Sequence, residues 1–367
     1  MPRFNKKSVV EDYITEQLQS KGWTFIPGNA LDRDNFEEPL LIRNLIRQVK
    51  AINPIDLSDE DIKNLLNELR FKPSTQEGIK QILLYLKEGI SIKIEKDKTL
   101  KRIRLFDYDN VQNNEFIVTR QAVYTRGNKQ IRTDIFLYVN GIPLVDIECK
   151  NPASFSENWY DAFKQIKSYE QDIPELYKYV QIGVAAEQIA KYFPIVSWNE
   201  NVKIDEWKSE KLDSIDSVIQ LFIPETLLDV INNFVYVRVQ FGEATKVLPR
   251  YMQYRAVGKV VQRVINNIEG KEEKNKGLVW HWQGSGKTLE MIFAANKLYR
   301  SEAMANPTIF LIIDRQDLEE QLYDEFNALD MTLPELIGSV SGMRKVLQHD
   351  QGRGKRGIFI TLIHKFR

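Results

Sequence analysis

One stretch limits the possible folds of this chain more than any other: TDIFLYVNGIPLVDIECK, residues 133–150. Two apolar runs, Ile135–Val139 and Pro143–Ile147, flank the dipeptide Asn140-Gly141. Because Asn and Gly both tolerate a positive φ, this dipeptide between two strand-like runs predicts a β-hairpin. The stretch therefore requires two adjacent antiparallel strands in a fold that contains a sheet.

The register of this hairpin decides where its charged residues lie. A three-residue loop places Asp134 opposite Glu148, whereas a two-residue turn shifts the pairing by one residue. Side chains alternate between the two faces of a strand, so Asp146, Glu148 and Lys150 share one face. The hairpin therefore stacks two acids and a lysine on one strand, with Asp134 facing them from its neighbour in the first register.

Clustered acids in a folded core are costly unless they are paired or bind a metal. Hard cations such as Mg²⁺ take carboxylate and carbonyl oxygens as ligands. The carboxylates of Asp134 and Glu148 and the backbone carbonyl of Cys149 therefore form a predicted Mg²⁺ site, in which Lys150 would orient or activate a water. The alternative is a hairpin edge with solvated charges, because short acidic motifs recur by chance.

Composition limits the class of protein. The 367 residues include 51 Lys+Arg and 51 Asp+Glu, so any attraction to nucleic acid must come from a local basic patch. The single cysteine excludes a disulfide within the chain and fits a reducing cytosol. No apolar run approaches the ~20 residues of a membrane span, and the N-terminus lacks the apolar core of a signal peptide. We therefore expect a cytoplasmic protein with no membrane partner.

The segments on both sides of the hairpin are predicted to contain both helices and strands. Apolar periodicity predicts helices over 8–21, 37–72 (with a break at Asn53-Pro54) and 75–89. Strands follow from about residue 91. Beyond the hairpin, a predicted helix over 157–171 places Gln165 and Tyr169 on one face, and 179–185 predicts a buried strand. This order indicates an α/β fold with a mixed sheet flanked by helices.

A second landmark is QGSGKT at 283–288, which lies between the strand-like run 277–282 and a helical segment. Strand, glycine loop and helix form the context that a phosphate-binding loop requires. His281 stands where the usual first glycine would be. The alternative is a chance Gly-Ser-Gly turn. Residues 307–314 and 357–362 predict two further strands, the first of them buried.

The residues of this loop have predicted tasks in binding ATP. Phosphate would bind the backbone amides at the helix N-terminus, namely those of Gly284, Ser285 and Gly286. Lys287 would reach the β- and γ-phosphates, and the Thr288 hydroxyl would bind Mg²⁺.

The two landmarks together resemble the restriction (R) subunit of type I restriction–modification enzymes, the HsdR family. The resemblance covers nearly the whole chain and includes NNEF, TDIFLYVNGIPLVDIECKNP, QIKSY, HWQGSGKT, DRQDLEEQL and TLIHKF. It implies that residues 1–240 form an endonuclease domain of the PD-(D/E)xK, RecB-like type. It also implies that residues 241–367 form part of a first RecA-like lobe of a superfamily 2 helicase.

The resemblance implies roles for five residues of the first domain. Asp134, Glu148 and Lys150 would be the nuclease triad. Gln165 and Tyr169 match the Q-x₃-Y motif of the RecB-like branch.

Other positions match less directly. Gln253 matches the position proposed to read the adenine edge of the nucleotide. Thr133 stands where the family has proline, and Asp146 is an extra acid that could be an alternative ligand. The family's acid on the first helix corresponds to either Glu11 or Glu16, and the sequence does not choose between them.

The implied activity is Mg²⁺-dependent cleavage of unmodified double-stranded DNA coupled to ATP-driven translocation, with methyltransferase (M) and specificity (S) subunits as partners. The second lobe, the DEAD-type acid and the arginine finger of the family are missing from these residues, so we interpret the chain as an N-terminal fragment with an inactive ATPase. Two alternatives are a nucleotide- or DNA-binding scaffold, and another helicase-type ATPase with an unrelated accessory domain. The basic stretches Lys93–Arg104 and Arg120–Arg132 could hold DNA or be solvated faces.

Overall fold

The computed structural model describes residues 7–96, 98–153, 158–209, 211–240 and 242–366. The chain divides into two compact units. The first comprises Met1–Val235 with Thr245–Leu248, and the second comprises Tyr236–Ala244 with Pro249–Arg367.

The first unit contains most of the predicted helices and strands. Its helices are α1 (Lys7–Ser20), α2 (Ile42–Ile52), α3 (Asp59–Arg70), α4 (Gln76–Glu88), α5 (Trp159–Asp172), α6 (Pro174–Tyr177), α7 (Ser214–Leu221) and α8 (Pro224–Asn233). Its strands are β1 (Thr24–Pro27), β2 (Ile90–Lys93), β3 (Leu100–Ile103), β4 (Phe116–Arg120), β5 (Val123–Arg126), β6 (Lys129–Arg132), β7 (Ile135–Val139), β8 (Ile142–Cys149), β9 (Ile182–Ala186) and β10 (Ala190–Pro194). The predicted helix over 37–72 is divided into α2 and α3, and α3 begins with a capping box between Ser58 and Asp61. Glu157, where the next helix was predicted to begin, lies outside the described residues.

A six-stranded mixed sheet forms the centre of this unit, in the order β1-β4-β7-β8-β9-β10. β1 runs parallel to β4 and β8 runs parallel to β9, whereas the other neighbours are antiparallel. The predicted hairpin supplies the two central strands, β7 and β8, and every residue of both strands is buried. Because both faces of these strands are covered, their sequences are almost continuously apolar. The carboxylates within β8 are therefore buried as well.

The turn of this hairpin has two residues rather than three. Asn140 and Gly141 occupy it with φ values of 49° and 79°, and Val139 pairs with Ile142. A positive φ at both central positions is typical of a type I′ turn. Next to the turn, the pairing is therefore shifted by one residue from the register that a three-residue loop would give.

A β-bulge in β8 removes this shift before the charged end of the hairpin. The register changes at Leu144, which has no partner in β7, and further along Ile135 pairs with Ile147. Extending this pairing by one residue places Asp134 opposite Glu148. The two-residue turn and the bulge together produce the register that the longer loop alone would have produced.

We expect Gly141→Ala to destabilise the first unit more than Gly127→Ala. Both glycines have a positive φ, 79° and 57°, so alanine strains the backbone at each position by about 1–2 kcal/mol. A Cβ at Gly141 would also lie 2.5 Å from the carbonyl oxygen of Leu41, whereas one at Gly127 would meet no described atom within 4 Å. Urea denaturation should show a difference of about 2 kcal/mol in the free energy of unfolding. An equal decrease in the free energy of unfolding for the two variants would contradict the close contact between residue 141 and Leu41.

Helix α5 packs against β8 and β9. A buried apolar cluster that includes Phe136 and Ile166 lies between this helix and the sheet. Phe136 pairs with Asp146, and directly paired residues point to the same face of a sheet. Asp146, Glu148 and Lys150 therefore lie on the face that α5 covers.

The second unit has a smaller sheet. The unit begins with β11 (Tyr236–Gln240). Strand β12 (Glu243–Val247) follows, and its residues are divided between the two units. The remaining elements of the second unit are α9 (Tyr251–Ile268), α10 (Lys287–Arg300), β13 (Thr308–Ile313), α11 (Gln316–Ala328), β14 (Glu335–Ile337), α12 (Val340–Gly352) and β15 (Gly357–Leu362). β15 lies between β13 and β14 and is parallel to both. The prediction of a strand over 357–362 is confirmed.

Two predictions in the second unit are wrong. The run 277–282 is not a strand, and Leu278, Trp280 and Trp282 are 85%, 85% and 62% exposed. A strand needs a partner for its backbone groups, and the three-stranded sheet takes no further strand from the described residues. β13 was predicted to be buried but is mostly half-buried, because it lies at the edge of that sheet.

The longest described helix, α9, has 18 residues. Within the described ranges, no helix combines the length and the apolar character that crossing a membrane requires. The predicted cytoplasmic location stays a prediction.

Candidate functional site

Asp134 and Glu148 lie where β7 begins and β8 ends, and two hydrogen bonds connect them across the strands. The Asp134 N–H donates to Glu148 Oε1 at 3.0 Å, and the Cys149 N–H donates to Asp134 Oδ2 at 2.9 Å. Asp134 is 4% exposed and Glu148 is fully buried. Because the backbone of each strand holds the carboxylate of the other, the hairpin register fixes the relative position of the two carboxylates.

Two buried carboxylate oxygens on this face, Glu148 Oε2 and Asp146 Oδ1, accept no hydrogen bond from the described residues. The other oxygen of Asp146 accepts a hydrogen bond from the Tyr177 hydroxyl at 2.5 Å. Burial raises the pKa of Asp146 to about 8, and the charges of Asp134 and Glu170 add to this effect against the Tyr177 hydrogen bond. Burial also raises the pKa of Glu148 well above its ordinary value, and the nearby charges of Asp134 and Asp146 raise it further. Without a cation, Asp146 is therefore mainly protonated at neutral pH.

The free energy of unfolding is expected to fall as the pH rises from about 4 to about 8. Between the ordinary aspartate pKa of 3.8 and the folded value of about 8, Asp146 binds a proton in the folded protein but not in the unfolded chain, so a rise in pH favours unfolding. Asp146→Asn keeps an acceptor for the Tyr177 hydroxyl and removes this titration. The variant should raise the free energy of unfolding at pH 8 by about 2 kcal/mol or more.

Urea denaturation in EDTA near both ends of this pH range measures the effect. Asp56→Asn is the matched control, because the Asp56 side chain is 88% exposed, and it should keep the wild-type dependence on pH. A wild-type protein that becomes more stable as the pH rises would contradict the protonation of Asp146.

Lys150 is connected to Tyr169 through Gln165. Lys150 Nζ donates to Gln165 Oε1 at 2.6 Å, and Gln165 Nε2 donates to the Tyr169 hydroxyl oxygen at 2.6 Å. The Tyr169 hydroxyl donates to the carbonyl oxygen of Arg132 at 3.2 Å. Burial raises the pKa of Tyr169, and the charge of Glu148 adds to this effect. The structure thus joins the five predicted catalytic residues into two hydrogen-bonded groups, Asp134 with Glu148 and Lys150 with Gln165 and Tyr169.

Glu11 of α1 is the first-helix acid that is connected to Asp134, through Gln121. It is 4% exposed, whereas Glu16 is exposed to solvent. Gln121 Nε2 donates to Glu11 Oε2 at 3.2 Å and lies 3.5 Å from Asp134 Oδ1. Arg120 Nη2 also donates to Glu11 Oε2, at 3.0 Å. Burial and these contacts distinguish Glu11 from Glu16, which the sequence did not.

Gln121 is the site residue that sequence reasoning missed. Its φ is 56°, in the left-handed region that non-glycine residues seldom adopt. Its N–H donates to the carbonyl oxygen of Asp134 at 3.1 Å. Backbone strain of this kind concentrates at functional sites. The sequence showed one signal, a polar Arg-Gln pair within the strand-like run EFIVTRQAVYT, and the structure breaks the run there.

The donor set fits a hard divalent cation such as Mg²⁺. Proteins commonly bind Mg²⁺ through one or two carboxylates, with waters and substrate phosphates as the other ligands. Asp134 and Glu148 supply two carboxylates, and the unpartnered Glu148 Oε2 is a buried acceptor that a cation would satisfy. In the ranges that the structure describes, no group of three or more His, Cys, Asp or Glu residues is arranged to hold a metal ion. The Cys149 carbonyl stays a predicted third ligand.

In the second unit, the loop 283–288 leads into α10, which begins at Lys287. Gly284 and Gly286 have φ values of 80° and 86°. Lys287 Nζ donates to two backbone carbonyl oxygens just before the loop, at 3.2 and 3.0 Å. Thr288 follows in the first turn of the helix. The loop thus has the left-handed glycines and the helix N-terminus that phosphate binding uses, and the contacts predicted for residues 284–288 stay predictions.

Gln253 holds this loop from within the second unit. Its Oε1 accepts a hydrogen bond from the Arg250 N–H at 2.9 Å. Its Nε2 donates to the carbonyl oxygens of Ser285 and Gly286, at 3.2 and 3.3 Å. Gln253 is 3% exposed. Its predicted contact with adenine stays a prediction, while the structure shows that its amide supports the loop.

Comparison with known proteins decides the family. Residues 3–202, which include the hairpin and α5, match the family described as type I restriction enzyme R protein N terminus. The chain belongs to the type I restriction enzyme R protein family. Residues 252–367, which include the glycine loop, match the SWI2/SNF2 ATPase family. The predicted resemblance is confirmed, and the alternative of an unrelated accessory domain is excluded.

Relatives of this R protein chain come from archaea and bacteria. The chain is 33% identical to the type I restriction enzyme MjaVIIIP endonuclease subunit of Methanocaldococcus jannaschii, over 99% of its own length. It is 29% identical over 97% of its length to the HindI endonuclease subunit of Haemophilus influenzae. The chain spans 37% and 36% of the lengths of these two relatives.

Proposed function

We propose that the first unit contains the nuclease centre of a type I restriction enzyme R subunit, within a PD-(D/E)xK, RecB-like endonuclease domain over residues 1–240. The observation that carries the proposal is the reciprocal bonding of Asp134 and Glu148, with Lys150 two residues further along the same face. The endonuclease subunits among the relatives support it.

The proposed chemistry is Mg²⁺-dependent hydrolysis of a DNA phosphodiester. When bound, Mg²⁺ supplies charge neutralisation at the scissile phosphate and lowers the pKa of the attacking water. Asp134 and Glu148 would hold the ion at the end of the hairpin. Lys150 would orient the water and stabilise negative charge, and Gln165 fixes the position of its ammonium group. Tyr169 acts on the lysine through Gln165 and is a positioning residue.

We further propose that residues 241–367 form part of the first RecA-like lobe of a superfamily 2 motor. The amides of 284–286 would bind the phosphates of ATP, with Lys287 at the β- and γ-phosphates and Thr288 on Mg²⁺. The match to the SWI2/SNF2 ATPase family supports this proposal. In the intact subunit, ATP hydrolysis would drive translocation along double-stranded DNA, and cleavage of unmodified DNA would occur in a complex with M and S subunits.

The competing function is a DNA- or nucleotide-binding scaffold whose acidic hairpin has no catalytic role. Cleavage of unmodified plasmid by the full-length subunit, assembled with its M and S subunits and supplied with ATP, separates the two. We expect cleavage to require Mg²⁺ and to fall at least about 100-fold in Lys150→Met. Lys164→Met, on an exposed part of α5, is the matched control and should cleave normally. Undiminished cleavage by Lys150→Met would reject the proposed centre.

A further inference from the structure

A two-stranded hairpin of positive charge leads directly into the candidate nuclease site. It consists of β5 and β6, residues 123–132, and is called the basic hairpin below. Tyr124 pairs with Ile131, and both side chains are buried in the core. The hairpin contains no Asp or Glu, and its basic side chains are exposed, namely Arg126, Lys129 and Arg132.

Hydrogen bonds fix the base of the basic hairpin to the site. The Thr133 N–H donates to the carbonyl oxygen of Ala122 at 3.0 Å, and the adjacent Gln121 N–H donates to the carbonyl oxygen of Asp134 at 3.1 Å. The carbonyl oxygen of Arg132 accepts the hydrogen bond from the Tyr169 hydroxyl. Only Thr133 lies between Arg132 and Asp134, so the Cα atoms of these two residues are at most about 7 Å apart. The hairpin is therefore placed beside the carboxylates by the backbone itself.

The basic stretch Arg120–Arg132 contains residues that form ion pairs and residues that do not. Arg120 is occupied by Glu11, at 3.0 Å, and Lys129 pairs with Asp172 at 2.9 Å. Neither Arg126 nor Arg132 makes an ion pair with any residue in the described ranges. Both guanidinium groups are exposed on a hairpin with no acid of its own, Arg126 on the face that carries Tyr124 and Ile131 and Arg132 on the opposite face. The positive charge of Arg126 also helps to lower the pKa of Glu175.

We propose that the basic hairpin binds the phosphate backbone of duplex DNA beside the scissile phosphate, through Arg126 and Arg132. This inference rests on the proposed nuclease function of the adjacent carboxylates. Each DNA strand presents a phosphate about every 3.4 Å of helix axis, so a duplex placed at Asp134 and Glu148 offers neighbouring phosphates to Arg132. Arg126, at the turn end of the hairpin, would meet phosphates further along the duplex. Guanidinium groups bind phosphate oxygens with two parallel hydrogen bonds, and such contacts position DNA without reading its sequence.

The salt dependence of duplex binding tests the inference without any cleavage. The chain carrying Arg126→Gln and Arg132→Gln is titrated against a short fluorescent duplex in EDTA, at several salt concentrations between about 50 and 200 mM. The matched control is Lys21→Gln with Lys50→Gln, which removes the same charge from exposed positions outside both basic stretches. Both variants should unfold at the wild-type midpoint, because all four positions are exposed.

For the hairpin variant, the slope of log Kobs against log salt should decrease in magnitude by about 1.8, because each phosphate contact contributes about 0.9. Binding should weaken about tenfold at the lower salt concentrations. The control should keep the wild-type slope. A wild-type slope in the hairpin variant, an equal change in the control, or no duplex binding by the wild type would each overturn the inference.

The salt dependence of duplex binding and the cleavage activity of Glu148→Gln test the two proposals separately. If the hairpin variant keeps the wild-type slope while Glu148→Gln blocks cleavage, the basic hairpin is not a DNA contact and the nuclease centre stands. If the slope decreases while Glu148→Gln still cleaves, the hairpin binds DNA and the nuclease assignment is wrong.

Discussion

Glu148→Gln is expected to reduce Mg²⁺-dependent DNA cleavage by the assembled enzyme at least about 10³-fold. The substitution preserves the size of the side chain and an acceptor oxygen for the Asp134 N–H, so the hairpin register should survive. It removes the negative charge of the group whose Oε2 has no hydrogen-bond partner among the described residues. The variant should therefore keep the fold and lose the ion.

Stability measurements distinguish this result from misfolding. Burial disfavours the charged form of Glu148 and raises its pKa, so the metal-free Glu148→Gln protein should be at least as stable as the wild type at pH 8. Mg²⁺ is expected to raise the unfolding midpoint of the wild type, because an ion held at the proposed site would stabilise only the folded state, and to have no such effect on the variant. Glu16→Gln makes the same chemical change on the exposed face of α1 and should cleave normally. Wild-type cleavage by Glu148→Gln would remove Glu148 from the proposed centre.

Gly286→Ala is expected to weaken ATP binding at least about tenfold, which corresponds to about 1.4 kcal/mol. Gly286 has a φ of 86°, and a Cβ there would lie 2.4 Å from Gln253 Nε2. Alanine therefore strains the backbone and displaces the amide that holds the loop carbonyls. The amides of residues 284–286 would then no longer converge on one phosphate.

Alanine substitutions at two other glycines distinguish the effect of backbone strain from the effect of the contact with Gln253. Gly284→Ala shares the positive φ, 80°, but its Cβ would meet nothing within 4 Å among the described atoms, so it should weaken binding less. Gly258→Ala lies within α9, also without a described neighbour within 4 Å, and should leave ATP affinity unchanged. Calorimetric titration of the chain with ATP gives the three affinities. Equal affinities for Gly286→Ala and Gly258→Ala would show that the loop conformation does not determine binding.

Local rules predicted much of the candidate nuclease site. Turn chemistry at Asn140-Gly141 identified the hairpin, and the two-residue period of a strand placed Asp146, Glu148 and Lys150 on one face. The helical period brought Gln165 and Tyr169 to the same side of α5. These rules act between residues close in sequence, which is why they can be applied before the fold is known.

The same rules failed where an element depends on a distant partner. The run 277–282 has the composition of a strand, but no neighbouring strand among the described residues pairs with it. The strand-like run around Gln121 is interrupted because Gln121 has a left-handed backbone conformation. In that conformation, its N–H donates to the carbonyl oxygen of Asp134, a residue distant in sequence. The choice between Glu11 and Glu16 also depended on burial against the rest of the first unit.

The sequence by itself determined which residues could form the site: an acidic hairpin, a lysine two residues after Glu148, and a Gln–Tyr pair one helical turn apart. Only the tertiary structure decided that Asp134 faces Glu148, because the two-residue turn gives the other register and the bulge at Leu144 corrects it. A bulge is stabilised by the packing of neighbouring strands and helices rather than by the residues that flank the turn. The same packing buries Asp146 completely, and its raised pKa follows from that burial.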